Sequence, residues 1–178
     1  MHTDGPALVL AGAGSGKTRV LTARIFNLIK SNTTDSNEIL ALTFTNKAAD
    51  EIKTRVKSLL GKKYEFPWVG TFHSISYRVL RIFIGELSPK YRKNFTIYDP
   101  NDQLKILKNT IKKLDLDFNK YDPKLIRGII DNLKNFYSYD EWENEWQFKD
   151  INEKKIIYDY QSSLEENNAM DFGDLILN

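Results

Sequence analysis

The sequence predicts an α/β fold, a parallel sheet flanked by helices with an all-helical segment set into it. Three observations carry that expectation. Short apolar runs at 7–10, 39–44 and 68–71 are each followed by a helical pattern, the alternation that joins parallel strands. A glycine-rich stretch, 11–18, links the first run to its helix. Beyond Asp99 the chain turns helical and acidic through residue 165.

Taken in order, the first predicted strand is Ala7-Leu8-Val9-Leu10, and its helix runs from Thr18 to Lys30 with Val20, Leu21, Ile25, Leu28 and Ile29 apolar. After the second strand, Ile39 to Phe44, a helix carries Ala48, Ile52, Val56, Leu59 and Leu60, and Gly61 stands where a C-terminal glycine belongs. The third strand, Trp68 to Thr71, leads into Ile75, Val79, Ile82 and Phe83. Leu104, Leu107, Ile111 and Leu114 mark the next amphipathic helix. Asp122 and Pro123 read as N-cap and first helical residue before Leu125, Ile126, Ile129, Ile130 and Leu133. A last helix carries Ile156, Ile157, Tyr160 and Leu164. Trp142 and Trp146 read as a packed helix face. Ser138 and Glu141 have capping-box spacing, so Asp140-Glu141 is not taken as a metal pair.

Ala-Gly-Ala-Gly-Ser-Gly-Lys-Thr at 11–18 is the arrangement that holds a nucleotide triphosphate tail. Glycines let successive amides turn inward around phosphate oxygens. The phosphate-binding stretch is Ala13, Gly14, Ser15, Gly16, Lys17 and Thr18. Lys17 brings charge to the β- and γ-phosphates, and the Thr18 hydroxyl holds Mg²⁺. The helix opening at Lys17 adds its positive dipole end. A nucleoside triphosphate with Mg²⁺ is therefore the expected ligand. Ala11 replaces the usual first glycine, and at the end of a strand it keeps a negative φ.

Composition narrows the classes. There is no cysteine and only His2 and His73, which excludes disulfides and makes a zinc site unsuited. No apolar run is long enough to span a membrane, and the first residues do not begin a secretory signal. The net charge of +2 hides an asymmetry: residues 1–98 hold 15 Lys/Arg against 7 Asp/Glu, residues 99–178 hold 11 against 17. A basic half around a phosphate loop suits an anionic polymer as second ligand.

Leu40-Ala41-Leu42-Thr43-Phe44-Thr45-Asn46-Lys47-Ala48-Ala49, with the phosphate loop, resembles superfamily 1 DNA helicases of the UvrD/Rep/PcrA type. Gly70-Thr71-Phe72-His73-Ser74 is similar to that family's next motif. Phe95 to Asp99 with Asp102-Gln103 resembles the entry to its helical insertion, and Asp171-Phe172-Gly173-Asp174-Leu175-Ile176 the return to the sheet. At position 173 glycine stands where the family commonly has an acidic residue.

The resemblance implies a RecA-like P-loop motor domain at 1–98, a helical insertion at 99–165 and a return at 166–178. It implies ATP as the nucleotide cofactor and Arg19 against the adenine face, with Phe44, Thr45, Asn46 and Lys47 touching single-stranded DNA. Thr71, Phe72 and His73 would form a second contact with it. Hydroxyl, amide and cationic groups position phosphates, and an aromatic ring stacks any base without reading sequence. Phe44 equally suits a core position, Thr45 and Asn46 equally serve as helix caps, and His73 reads as a neutral hydrogen-bonding residue rather than a general base.

The implied activity is that of an ATP-dependent 3′→5′ helicase of DNA repair or replication, cytoplasmic or on the bacterial nucleoid. Its partners are single-stranded DNA and a second motor domain; no membrane and no stable oligomer is required. The family's acidic metal motif would follow Asn178 and its glutamine-containing adenine segment would precede Thr3, so the chain reads as part of a longer enzyme, itself inactive in hydrolysis. Two rivals stay open. A free-standing P-loop kinase would need an arginine-rich lid, and only Arg127 lies beyond Arg92. The other is a non-catalytic nucleotide- or DNA-binding module.

Overall fold

The computed structural model describes residues 5–12, 14–138, 141–142 and 146–177. The chain is mixed α/β, with small parallel sheets and helices, and forms two compact units, 1–75 and 76–178.

In the first unit, α1 (Lys17–Lys30) and α2 (Asn46–Leu60) pack together beside strands β1 (Ala41–Thr43) and β2 (Val69–Thr71). The strands run parallel in the register Ala41 with Val69, Leu42 with Gly70 and Thr43 with Thr71. The apolar stripes read from the sequence close the core: Ile25 and Ile29 of α1 meet Ile52 and Val56 of α2, with Ala41 and Val69 from the strands. Each of the Ile and Val side chains contributes roughly 1.5–3 kcal/mol on full burial. Gly61 ends α2 with φ 110, a conformation that disfavours any side chain.

The predicted strand at 7–10 is not a strand here. Leu8 and Leu10 are 85% and 86% exposed, and the segment pairs with no other strand among the described residues. The physical reason is that an apolar run becomes a strand only when a neighbour supplies the other half of its hydrogen-bond ladder. Segment 5–9 instead borders, with α1, a mainly apolar cleft of about 690 Å³ that Pro6, Val9, Val20, Leu21 and Leu28 help to line. The second and third predicted strands form, but the second shortens to Ala41–Thr43.

Helix α3 (Phe72–Leu87) follows β2 directly. In the second unit, β3 (Thr96–Ile97) pairs in parallel with β4 (Ala169–Met170), so the chain leaves for the helical segment and returns from it on one ladder. Between them lie α4 (Pro100–Lys113), α5 (Pro123–Phe136) and α6 (Ile151–Glu166), and α7 (Asp174–Leu177) follows. Aspartates start all three long helices: Asp99 accepts from the amides of Asn101 and Asp102, Asp122 from Lys124, and Asp150 from Asn152 and Glu153. Leu107, Ile111, Ile130, Leu133, Ile156 and Leu164 form the fully buried centre. Trp142 is buried there, edge-on to Tyr158 at 6.1 Å, and Trp146 packs against the same cluster. Glu141 accepts from the Ser138 amide at 2.7 Å, the return bond of a capping box, which lowers its carboxyl pKa; Asp140 lies outside the described residues.

Candidate functional site

The phosphate-loop sequence folds as a turn running into a helix N-terminus. Gly14 and Gly16 have φ of 75 and 90, left-handed values that a Cβ would oppose, and Ala11 is not among the residues with positive φ. The Ser15 amide and hydroxyl both donate to the Gly12 carbonyl. Lys17 Nζ donates to the carbonyls of Ala11 at 2.8 Å and Gly12 at 2.9 Å, so the ammonium lies against the loop. Thr18 is half-buried on the first turn of α1 and Arg19 is exposed beside it. Ala13 lies outside the described residues.

The second group of residues comes from two separate stretches. Because β1 and β2 are adjacent, parallel and in register at Thr43 and Thr71, the segments that follow them emerge side by side at one sheet end. That end carries Phe44, Thr45, Asn46 and Lys47 from one strand and Phe72 and His73 from the other. Ligands of parallel α/β sheets gather at this carboxyl end. The rings of Phe44 and Phe72 stand 6.0 Å apart, tilted at 48°. Phe44 is 94% exposed, which excludes the core role open to it on sequence grounds. Asn46, Lys47 and His73 are exposed as well.

Short-range bonds hold this end in shape. The Thr45 hydroxyl accepts from the Ala48 amide at 3.2 Å and caps α2. Thr71 does the same for α3, accepting from the Ser74 amide at 3.3 Å, while the Ser74 hydroxyl donates back to the Thr71 carbonyl at 2.9 Å. Two residues with no role read from the sequence help to set the geometry. Thr43 donates its hydroxyl to the Thr45 carbonyl at 3.0 Å, fixing the turn that presents Phe44. A Cβ on Gly70 would sit 2.5 Å from Ser74 Oγ and 3.1 Å from Ile75 Cδ1, so glycine there is what lets α3 start so close to β2. That crowding is a tertiary contact, and the sequence carries no signal of it beyond the glycine itself.

The helix N-termini divide in character. Neither α1, α2 nor α3 has an acidic residue in its first turn. By contrast α4 and α6 place an aspartate cap and a further acid there. A helix start is stabilised by negative charge. Helix α5 also has no acid in its first turn, and its cap is Asp122. Among the described residues no group of three or more His, Asp or Glu could hold a metal ion, and no helix is long and apolar enough to cross a membrane. Thr18 offers a hydroxyl oxygen, one donor of the all-oxygen set that Mg²⁺ on a nucleotide takes.

The whole chain, residues 1–178, matches the UvrD/REP helicase N-terminal domain family. It is 42% identical to the ATP-dependent DNA helicase PcrA of Staphylococcus epidermidis over 98% of its own length and 24% of the relative's. To the protein of the same description from Staphylococcus aureus it is 41% identical, again over 98% of this chain and 24% of the relative. It thus spans about a quarter of the length of these curated relatives. The chain belongs to the UvrD/Rep helicase N-terminal domain family.

Proposed function

We propose that this chain is the ATP- and single-stranded-DNA-binding N-terminal part of an ATP-dependent 3′→5′ DNA helicase or translocase of repair or replication. The observation that carries the reading is the sheet end where Phe44–Lys47 and Thr71–His73 emerge together, in the unit that also holds the phosphate loop. Two rings for bases, hydroxyl and amide groups for phosphates, and helix starts without acids make a sequence-tolerant strand-binding surface. In this reading a RecA-like motor domain occupies 1–98, and the helical insertion 99–165 leaves and returns on the β3–β4 ladder.

At the nucleotide, Gly14, Ser15 and Gly16 would present amides, and Lys17 would exchange the Ala11 and Gly12 carbonyls for phosphate oxygens. Ala13 and Arg19 would complete the contacts, Arg19 through the planar face of its guanidinium. Mg²⁺ on Thr18, when bound, neutralises phosphate charge. Hydrolysis also needs a carboxylate to orient water and a cation to meet transition-state charge, the latter alone contributing on the order of 10³–10⁵ in rate. The residues directly after β1 and β2 include no acid. These 178 residues are therefore expected to bind ATP weakly and turn it over near background, with or without DNA.

Calorimetry with ATP–Mg²⁺ against a Lys17→Ala variant, with a phosphate-release assay alongside, tests this. Heat present in the parent and absent in the variant, with no turnover in either, is the expected result. Equal heats would remove Lys17 from the site. Robust turnover lost in Lys17→Ala would favour a self-contained P-loop enzyme.

A further inference from the structure

A lysine with no solvent exposure is unusual, and Lys134 of α5 is one. Its ammonium lies 2.8 Å from Asp171 Oδ2 and 2.7 Å from Asp174 Oδ1, both carboxylates being buried to within one percent. Every carboxylate oxygen of the pair has a partner. Tyr160 of α6 donates its hydroxyl to Asp171 Oδ2 at 2.8 Å, and Gln161 reaches Asp174 Oδ1 at 3.5 Å. The two aspartates cap each other: the Asp171 amide donates to Asp174 Oδ2 at 3.1 Å and the Asp174 amide to Asp171 Oδ1 at 2.9 Å. One cation therefore joins α5 to the turn between β4 and α7.

Gly173 sits in that turn. A Cβ there would fall 2.9 Å from both Cβ and Cδ of Lys134. Its φ is not in the left-handed range, so the backbone alone does not demand glycine. The lysine stem does.

We propose that Lys134 is a positioning residue that locks the 171–174 turn onto α5, making the helical layer and the β3–β4 ladder one rigid body, and that position 173 is glycine to admit its side chain. A buried ion pair is weak evidence of stability, since apolar replacement of the whole set is often neutral or better. Its better-attested use is to specify one arrangement among several. The inference draws nothing from the helicase reading and stands or falls apart from it.

The test compares the unaltered chain, Lys134→Met, and a neutral set Lys134→Met/Asp171→Asn/Asp174→Asn, by thermal melting and amide hydrogen exchange. Lys134→Met strands two buried carboxylates and is expected to melt well below the parent or not to fold. The neutral set keeps the reciprocal caps without charge and is expected to melt near the parent. In that set, exchange at residues 171 and 174, corrected for intrinsic rates, should speed at least tenfold while α4 stays protected. Parental protection at 171 and 174 in the neutral set would overturn the lock and leave Lys134 as charge balance alone. Gly173→Ala is expected to lower the melting temperature. An unchanged melt would overturn the second half of the proposal.

Discussion

Phe44 and Phe72, one after each of two adjacent parallel strands, bring their rings within 6.0 Å of each other at an exposed sheet end. A single exposed phenylalanine needs no explanation, but two in contact form an apolar patch of the kind on which bases stack. Strand register makes the pair: because Thr43 lies opposite Thr71, the residue after each faces the same way out of the sheet.

Thr45 supports this platform from the start of α2. Its hydroxyl caps α2, so Thr45→Ala should destabilise the chain by about 1 kcal/mol, within the 0.5–2 kcal/mol of such caps. Thr45→Ser should restore most of it. Urea unfolding of the three proteins measures both, and an unchanged midpoint for Thr45→Ala would show that the cap carries no stability.

Binding of single-stranded DNA should weaken steeply with salt, because phosphate contacts release counterions. Removing one such contact by Lys47→Ala should lower the slope of log K against log salt by about 0.7. A salt-independent affinity would rule out a phosphate-dominated surface.

Acid should unlock the second unit. Burial alone would raise the Asp171 pKa. The Lys134 charge and hydrogen bond, with the Asp174 amide and the Tyr160 hydroxyl, pull it below the usual carboxylate value. A carboxylate depressed in the folded state contributes stability that is full above its unfolded pKa of about 3.9 and fades as pH falls through the folded value. The charged or titratable neighbours facing it include Lys134 and Asp131 of α5, Tyr160 of α6, Asp174 of α7 and Tyr91. Tyr160 remains a neutral donor because burial pushes its pKa up. Stability from urea unfolding should therefore drop more between pH 5 and pH 2 in the parent than in the neutral Lys134/Asp171/Asp174 set. Parallel curves would contradict it.

The sequence disclosed most of this through periodicity and caps. The helices at Lys17–Lys30, Asn46–Leu60 and Pro123–Phe136 match their apolar stripes, and Asp122-Pro123 starts its helix as read. Segment 7–10 misled because an apolar run is only a local signal, whereas both burial and strand pairing need a partner elsewhere in the chain, and Leu8 and Leu10 stay exposed. The Phe44–Phe72 contact was hidden, since strand register is non-local. Lys134 did leave a trace: it follows Ile126 and Ile130 at four-residue steps on the apolar stripe of α5. A charge in that stripe signals a buried partner, but nothing local said that the partner was the Asp171–Asp174 pair.

The most direct measurement is fluorescence anisotropy of a labelled oligothymidine titrated with this chain and with its Phe44→Ala/Phe72→Ala variant at low salt. Base–aromatic stacking is worth about 1–3 kcal/mol per base. Phe44 is 94% and Phe72 46% exposed, so both can be cut back with little loss of core. The parent should bind, and the variant should bind at least about tenfold more weakly while melting at nearly the same temperature. Equal affinities in the two proteins, or no binding by the parent at low salt, would contradict a single-stranded-DNA surface at this sheet end.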